Sequence, residues 1–183
     1  MEMGEPMKLY IKQQVFAIGE KFFVYDQTQR EIFWVEGSLF SFGDKLTIYD
    51  MQNQVVAFLE QELFHLLAHY NIYLGTEAEK VSQGEAANYT ACLIKKFALF
   101  GHNYEVESPD SSVAKEWKMP WEIEGHFLAH DYAVADSHGQ RIAQISKAIL
   151  SWGDFYEIEI SDEKFILPVI CIVLGIDDAL EKR

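Results

Sequence analysis

The sequence is short of basic residues. Lys and Arg total 15 against 29 Asp and Glu, a formal net charge of −14. The deficit is even: residues 1–91 hold 6 basic and 13 acidic side chains and residues 92–183 hold 9 and 16, so each half comes to −7. Lys95-Lys96 is the only basic pair apart from Lys182-Arg183. Nucleic acid and anionic lipid both favour clustered Lys and Arg. No nucleic-acid partner and no general attraction to an acidic membrane are therefore expected. Cysteine is scarce too. Cys92 and Cys171 form no CxxC and imply no disulfide framework. Cys171 lies in an apolar run, where it reads as a small hydrophobe. Four prolines and no Gly/Ser or Pro-rich linker leave one domain over 1–183. The opening "MEMGEPMKLYIKQQ" lacks the apolar stretch of a signal peptide, and Gly4 is not at the position that myristoylation needs. The expectation is a reduced, cytoplasmic protein.

Long hydrophobic runs are also missing, with one partial exception. "FILPVICIVLGI" (Phe165–Ile176) holds 12 residues without a charge, and Asp177, Asp178 and Glu181 follow. A membrane-spanning helix needs about 20 predominantly apolar residues, so no transmembrane segment is expected. The catalytic signatures GxSxG, GxGxxG and GxxxxGK[ST] do not occur.

What the chain does have is apolar and aromatic material: 49% hydrophobic residues and 14% aromatic. Most of it is laid out as strands. "NYEVE" (103–107), "WEIEG" (121–125) and "YEIEIS" (156–161) alternate apolar and polar, which gives a strand one dry and one wet face. The acidic pairs Glu122/Glu124 and Glu157/Glu159 then lie on outward faces as solvated groups. Similar short runs sit at 14–18, 20–25, 31–35, 45–49, 54–60 and 69–74, broken by Gly, Asp, Asn and Gln. Many short strands at this spacing suggest a sandwich or barrel.

Three of them share a pattern. "VYDQTQREIFWVEG", "IYDMQNQVVAFLEQ" and "VADSHGQRIAQISK" each end a strand on Asp (Asp26, Asp50, Asp136) and start another after four turn-type residues. The sixth residue after Asp is Ile32, Val56 or Ile142, and the ninth is Val35, Leu59 or Ile145. Asp suits such turns because its carboxylate bonds nearby backbone amides. The pattern predicts three related hairpins. A longer match pairs 35–73 with 123–159, aligning Ala57 with Ala143, Tyr70 with Tyr156 and Ile72 with Ile158. It predicts an internal pseudo-repeat within one sheet.

The stretch from about 163 to 181 breaks this rhythm. Ser161 or Asp162 caps a helix well, and Pro168 is tolerated in a first turn. A helix apolar on every side must be surrounded by protein. Its diameter of about 10–12 Å fits the lumen of a barrel wider than about eight strands. The expected fold is mainly β, a closed antiparallel barrel around a central hydrophobic C-terminal helix. An apolar ligand inside the barrel ranks lower, because the helix occupies that space.

"MKLYIKQQVFAIGEKFFVYD", "VEGSLFSFGDKLTIYD" and "EGHFLAHDYAVAD…RIAQISK…SWGDFYEIEI" together resemble the LURP-one-related family, over roughly residues 7–180. That family belongs to the tubby C-terminal-like group, which includes phospholipid scramblases. The resemblance implies a twelve-stranded barrel around a hydrophobic C-terminal helix, and a non-catalytic binding module or scaffold that engages a protein partner or a membrane lipid headgroup. It implies no catalytic residues and no cofactor. Tubby proteins bind phosphoinositides through basic residues, and no matching cluster is present here. The sequence departs from the family pattern at Glu62, where Lys is expected, and at Ala68, where Pro is usual. The segments 75–92 and 107–118 are longer than usual.

The alternative is a metal-dependent or other small-molecule enzyme using His126, His130 and Asp131, since His and carboxylate ligate zinc. If "HFLAHD" is a strand, His126 and His130 share a face but lie about 13 Å apart, too far for one ion without a bend. His65 and His69 in "LFHLLAHY" repeat the spacing and suit one helical turn between strands, but no third ligand is evident in the sequence. Cys92 and His102 lie near each other in sequence, which says nothing of their distance in space. Phe40, Phe42, Trp121 and Trp152 read as core or barrel-rim residues. The echo of "SFGD" (41–44) in "SWGD" (151–154) reads as a Gly-Asp turn after an aromatic.

Overall fold

The computed structural model describes residues 6–16, 19–37, 45–97, 103–150 and 153–181. Phe40, Phe42, His102 and Trp152 lie outside them, as do most residues of the "SFGD" and "SWGD" echo. Twelve strands form a closed antiparallel barrel. They are β1 (Met7–Phe16), β2 (Gly19–Asp26), β3 (Glu31–Gly37), β4 (Lys45–Asp50), β5 (Val55–Gln61), β6 (His69–Leu74), β7 (Ala91–Lys96), β8 (Asn103–Glu107), β9 (Trp121–His126), β10 (Asp131–Ala135), β11 (Arg141–Leu150) and β12 (Gly153–Ile160). Each strand pairs with its sequence neighbours, and β1 closes the ring against β12. Among the described residues, closure leaves no edge strand to pair with another chain. The described residues also hold three α-helices: α1 (Thr76–Ser82), α2 (Ser111–Glu116) and α3 (Ile166–Glu181).

The three Asp-initiated hairpins are built alike. Asp26 Oδ1 accepts the backbone N–H of Thr28 and Arg30. Asp50 Oδ1 accepts those of Gln52 and Gln54, and Asp136 Oδ1 those of His138 and Gln140. In each turn one residue has a positive φ: Gln29 at 64°, Asn53 at 60° and Gly139 at 74°. Each pairing shifts register at the same place, between Val24 and Tyr25, Ile48 and Tyr49, or Val134 and Ala135. The carboxylate therefore does the work of a turn backbone, and the bulge re-aims the strand that follows.

At the closing seam, Lys8 on β1 reaches two carboxylates on β12, Glu157 at 2.9 Å and Glu159 at 3.0 Å. The hydrogen bond to Glu157, with that to Glu159, raises the Lys8 ammonium above its ordinary range. The outward acidic pair on β12 thus serves the seam rather than solvation alone, whereas Glu122 and Glu124 are exposed as expected.

Alternation puts Leu9, Ile11, Val24, Val35, Ile48, Leu59, Ile72, Leu93, Ile123, Ile145 and Ile158 inside the ring, each almost inaccessible. They face α3. Every residue from Val169 to Ile176 that has a side chain is buried, whichever way it points. Asp162 caps the entry by accepting Lys164 N–H at 3.0 Å, a single 3-10 turn over Glu163–Phe165 precedes the regular helix, and Pro168 sits in its first turn. A Cβ on Gly175 would lie 2.9 Å from Leu93 Cδ2, so a larger residue there would have to displace the buried Leu93 side chain. No helix among the described residues is long and apolar enough to cross a membrane.

Both longer segments carry helices. α1 lies outside the barrel, where Ala78 and Val81 pack on Phe58 and Tyr73 of β5 and β6. α2, capped by Asp110, leads to Trp117. Trp117 stacks on Trp121 with ring centroids 5.6 Å apart, and Phe165 meets Trp121 edge-on at 5.1 Å. This aromatic group closes the barrel end at which α3 enters.

Burial on all sides makes a prediction. Ile170 and Leu174 share one face of α3 and Ile172 projects from the opposite one, yet alanine at each should cost about 2–5 kcal/mol. Urea denaturation checks this, and an amphipathic surface helix would show at least one neutral position. The Asp136 turn makes another. Its burial opposes ionisation, but the Gln140 and His138 amides and Lys118 hold the carboxyl below its usual range. Its contribution is present above pH about 4 and lost as pH falls through the lower folded value. Asp136→Asn keeps the turn acceptor, so its thermal midpoint should fall less steeply than that of the native protein between pH 5 and pH 3.

Candidate functional site

The hairpins define two ends of the barrel. At one lie the Asp turns, α1, α2 and the entry of α3. At the other lie the β5–β6, β7–β8 and β9–β10 loops, which follow one another round the rim. The exit of α3 sits inside this second end. Asp177 and Asp178 fall at its C-terminus, where the helix dipole disfavours negative charge. Barrel tyrosines offset this. Tyr70 on β6 donates to Asp178 Oδ2 at 2.5 Å, and Tyr156 on β12 donates to Asp177 Oδ1 at 3.0 Å. These are the two tyrosines aligned by the match of 35–73 with 123–159. Burial, together with the Asp178 carboxylate, raises the Tyr70 phenol.

The β9–β10 loop holds the first candidate ligand set, and it corrects the expected geometry. "HFLAHD" is not a strand. β9 ends at His126, Phe127–Ala129 make a 3-10 turn, and His130 adopts a left-handed conformation with φ 50° before β10 begins at Asp131. His126 and Asp131 are paired across the hairpin. The strands approach closely: a Cβ on Gly125 would meet Asp131 O at 2.4 Å. His130 turns inward and packs on Tyr156, with centroids 4.6 Å apart. Burial lowers its pKa, and Asp177 partly counters this. The three residues do not gather into a ligand set.

The β5–β6 loop holds the second set, and here the sequence reading missed a residue. Residues 62–68 form an open loop rather than a helical turn. Because Gln61 pairs with Tyr70, Glu62 and His69 face each other at the hairpin mouth, and Glu62 N–H donates to His69 O at 2.8 Å. Phe64 takes a left-handed φ of 74°, a conformation that costs a bulky residue about 1–3 kcal/mol. His65 returns to the mouth beyond it. Its Nε2 lies 2.7 Å from Glu62 Oε2, and His69 Nε2 lies 3.9 Å from the same oxygen. The imidazoles stack with centroids 4.5 Å apart. Glu62 Oε1 accepts the buried Asn71 Nδ2 at 2.6 Å. That bond, with help from His65 and His69, holds the Glu62 carboxyl below its usual range although partial burial opposes it. Burial in turn lowers the His69 pKa, more than Glu62 raises it, so the neutral imidazole is favoured. Among the described residues, Glu62, His65 and His69 are the one group of three such side chains with ligand atoms all within 4.8 Å of one another. The only sequence signal for Glu62 was its departure from the family's Lys.

The same rim carries exposed apolar side chains. Phe64 and Leu66 are essentially fully exposed, Phe97 is 82% exposed and Leu128 is 72% exposed. Leu63 adds a smaller contribution. The β5–β6 loop is tied at its base, since Lys95 N–H donates to Ala68 O at 2.9 Å.

Elsewhere, burial pushes the Cys92 thiol up to about 11 and the Cys171 thiol up to about 12. Neither has the thiolate character of a nucleophile at neutral pH. At the entry end, a half-open cleft of about 760 Å³ lies between α2, the β10–β11 turn and the start of α3. Two of its cations already face carboxylates: Lys118 is 3.5 Å from Asp136, and Lys164 is 3.8 Å from Asp162.

A closed twelve-stranded barrel with a buried C-terminal helix defines the class of this protein. The particular family follows from sequence. The chain belongs to the LURP-one-related family, whose model matches residues 7–177. It is 30% identical over 174 residues to the uncharacterized protein YxjI of Bacillus subtilis (strain 168), covering 95% of this chain and 94% of that protein. It also resembles an X-ray structure of a protein from Arabidopsis thaliana, with TM-score 0.61 and 15% identity, over 94% of this chain and 92% of the other. That likeness bears on the fold.

The tyrosine–aspartate contacts at the helix exit make a prediction. Tyr70→Phe removes a buried donor to a carboxylate and should cost about 1–3 kcal/mol, seen as a lower urea midpoint at unchanged m.

Proposed function

We propose that the protein is a non-catalytic cytoplasmic binding module that docks on a protein partner through the loop-bearing rim of the barrel. The observation that carries this reading is the full exposure of Phe64 and Leu66 on a loop whose base is hydrogen-bonded to the barrel. Each such side chain forgoes roughly 1.5–3 kcal/mol of burial while it stays in water. Phe97 and Leu128 extend the apolar surface onto the next two loops. A few large apolar anchors on a rigid frame are the usual energetic centre of a protein interface. The net charge of −14 argues against an anionic membrane as the occupant. The enzyme alternative through His126, His130 and Asp131 has no shared focus for an ion or substrate, because the three do not gather.

Site-specific photocrosslinking in cells tests the reading. A crosslinker at Phe64 or Leu128 should give one discrete adduct, and one at Gln52 on the opposite end should give none. Leu66→Ser combined with Phe97→Ser should reduce the adduct about tenfold or more, as expected for loss of interface anchors. Equal labelling from Gln52 would refute the proposal. So would co-sedimentation with lipid vesicles that depends on the same apolar residues, which would make the occupant a membrane.

A further inference from the structure

We propose that Glu62, His65 and His69 form a binding site for a zinc-class divalent transition metal at the mouth of the β5–β6 hairpin. The ligand atoms are Glu62 Oε2 and the Nε2 atoms of both histidines. Zinc bonds to nitrogen and oxygen of about 2.0–2.2 Å put tetrahedral ligands roughly 3.3–3.5 Å from one another. The two Nε2–Oε2 distances, 2.7 and 3.9 Å, straddle that value. A rotation of the exposed His65 ring lengthens the shorter distance and a small rotation of the His69 ring shortens the longer one, which together bring the three atoms onto one centre. Two imidazoles and one carboxylate select zinc and its neighbours over magnesium and calcium, which take oxygen ligands.

Three further features distinguish this group from a chance surface cluster. The backbone bond from Glu62 to His69 holds two ligands opposite each other before any ion arrives. Asn71, almost fully buried, uses its Nδ2 to fix Glu62 Oε1, which leaves Oε2 facing the histidines. Such an outer hydrogen bond orients ligating carboxylates in metal sites, and Asn71 Oδ1 has no hydrogen-bond partner among the described residues. Phe64 holds a left-handed backbone that returns His65 to the mouth. Strain of this kind collects at ligand clamps.

Three protein ligands leave a fourth position for water or for a side chain of a bound molecule. The ion also ties the loop tip to its base and so fixes Phe64 and Leu66 in place. That last consequence rests on the docking reading above; the metal site does not.

The test is calorimetric titration of chelator-stripped protein with Zn²⁺ near neutral pH, with Co²⁺ substitution as a spectroscopic readout. One ion per chain is expected, at micromolar affinity or tighter, with the visible absorption of tetrahedral Co²⁺. Glu62→Gln, His65→Ala and His69→Ala should each weaken binding at least tenfold, and His126→Ala should leave it unchanged. Magnesium should not compete. His65 is exposed, so its variant remains folded and a loss there reports on ligation. Absence of one-to-one Zn²⁺ binding overturns the proposal, as does tight binding that survives His65→Ala. Both results are independent of whether the rim docks a partner.

Discussion

Everything in this molecule depends on α3 being buried on all sides. A barrel of twelve strands is too wide to fill with its own inward side chains, and an apolar helix without an amphipathic face cannot rest on a surface. Each solves the other's problem. The ring supplies a complete apolar sleeve from Leu9 to Ile158, and the helix supplies the missing core from Val169 to Ile176. The helix is gripped differently at its two ends. Trp117, Trp121 and Phe165 close the entry by ring packing. Tyr70 and Tyr156 hold the exit by hydrogen bonds to acids that the helix dipole disfavours.

The two barrel ends differ in what their loops do. The Asp turns are short, and one oxygen of each carboxylate accepts two backbone amides. They contribute register and stability and offer little to a ligand. The opposite rim is irregular. It holds the strained Phe64, the left-handed His130 and the exposed Phe64, Leu66, Phe97 and Leu128. Loops positioned by a rigid scaffold are where binding residues usually sit. The proposed metal ligands and the proposed docking side chains alternate on one loop: Glu62, His65 and His69 point to its mouth, and Phe64 and Leu66 point away.

Several elements are legible in the sequence alone. Alternation in "NYEVE" and "WEIEG" assigns the buried faces, because a period of two admits only one dry side. The Asp-initiated repeat identifies three hairpins, because a turn that bonds its own backbone is local chemistry. The all-apolar run from Phe165 places a helix inside something. The two ligand sets were not readable in the same way. His126 and His130 lie on a hairpin with a 3-10 turn, beside a close backbone approach at Gly125. His65 and His69 showed their spacing, but Glu62 became their neighbour only through the Gln61–Tyr70 register.

The sequence by itself determined the strand faces, the Asp turns and the need to surround the last helix, since each follows from interactions between residues close along the chain or from a bulk apolar count. Only the tertiary structure decided which carboxylate meets which histidine, which tyrosines reach the helix exit and which apolar side chains stay in water. Those depend on strand register and on the direction a loop takes. A shift of one residue in either would send the same side chains to the other face.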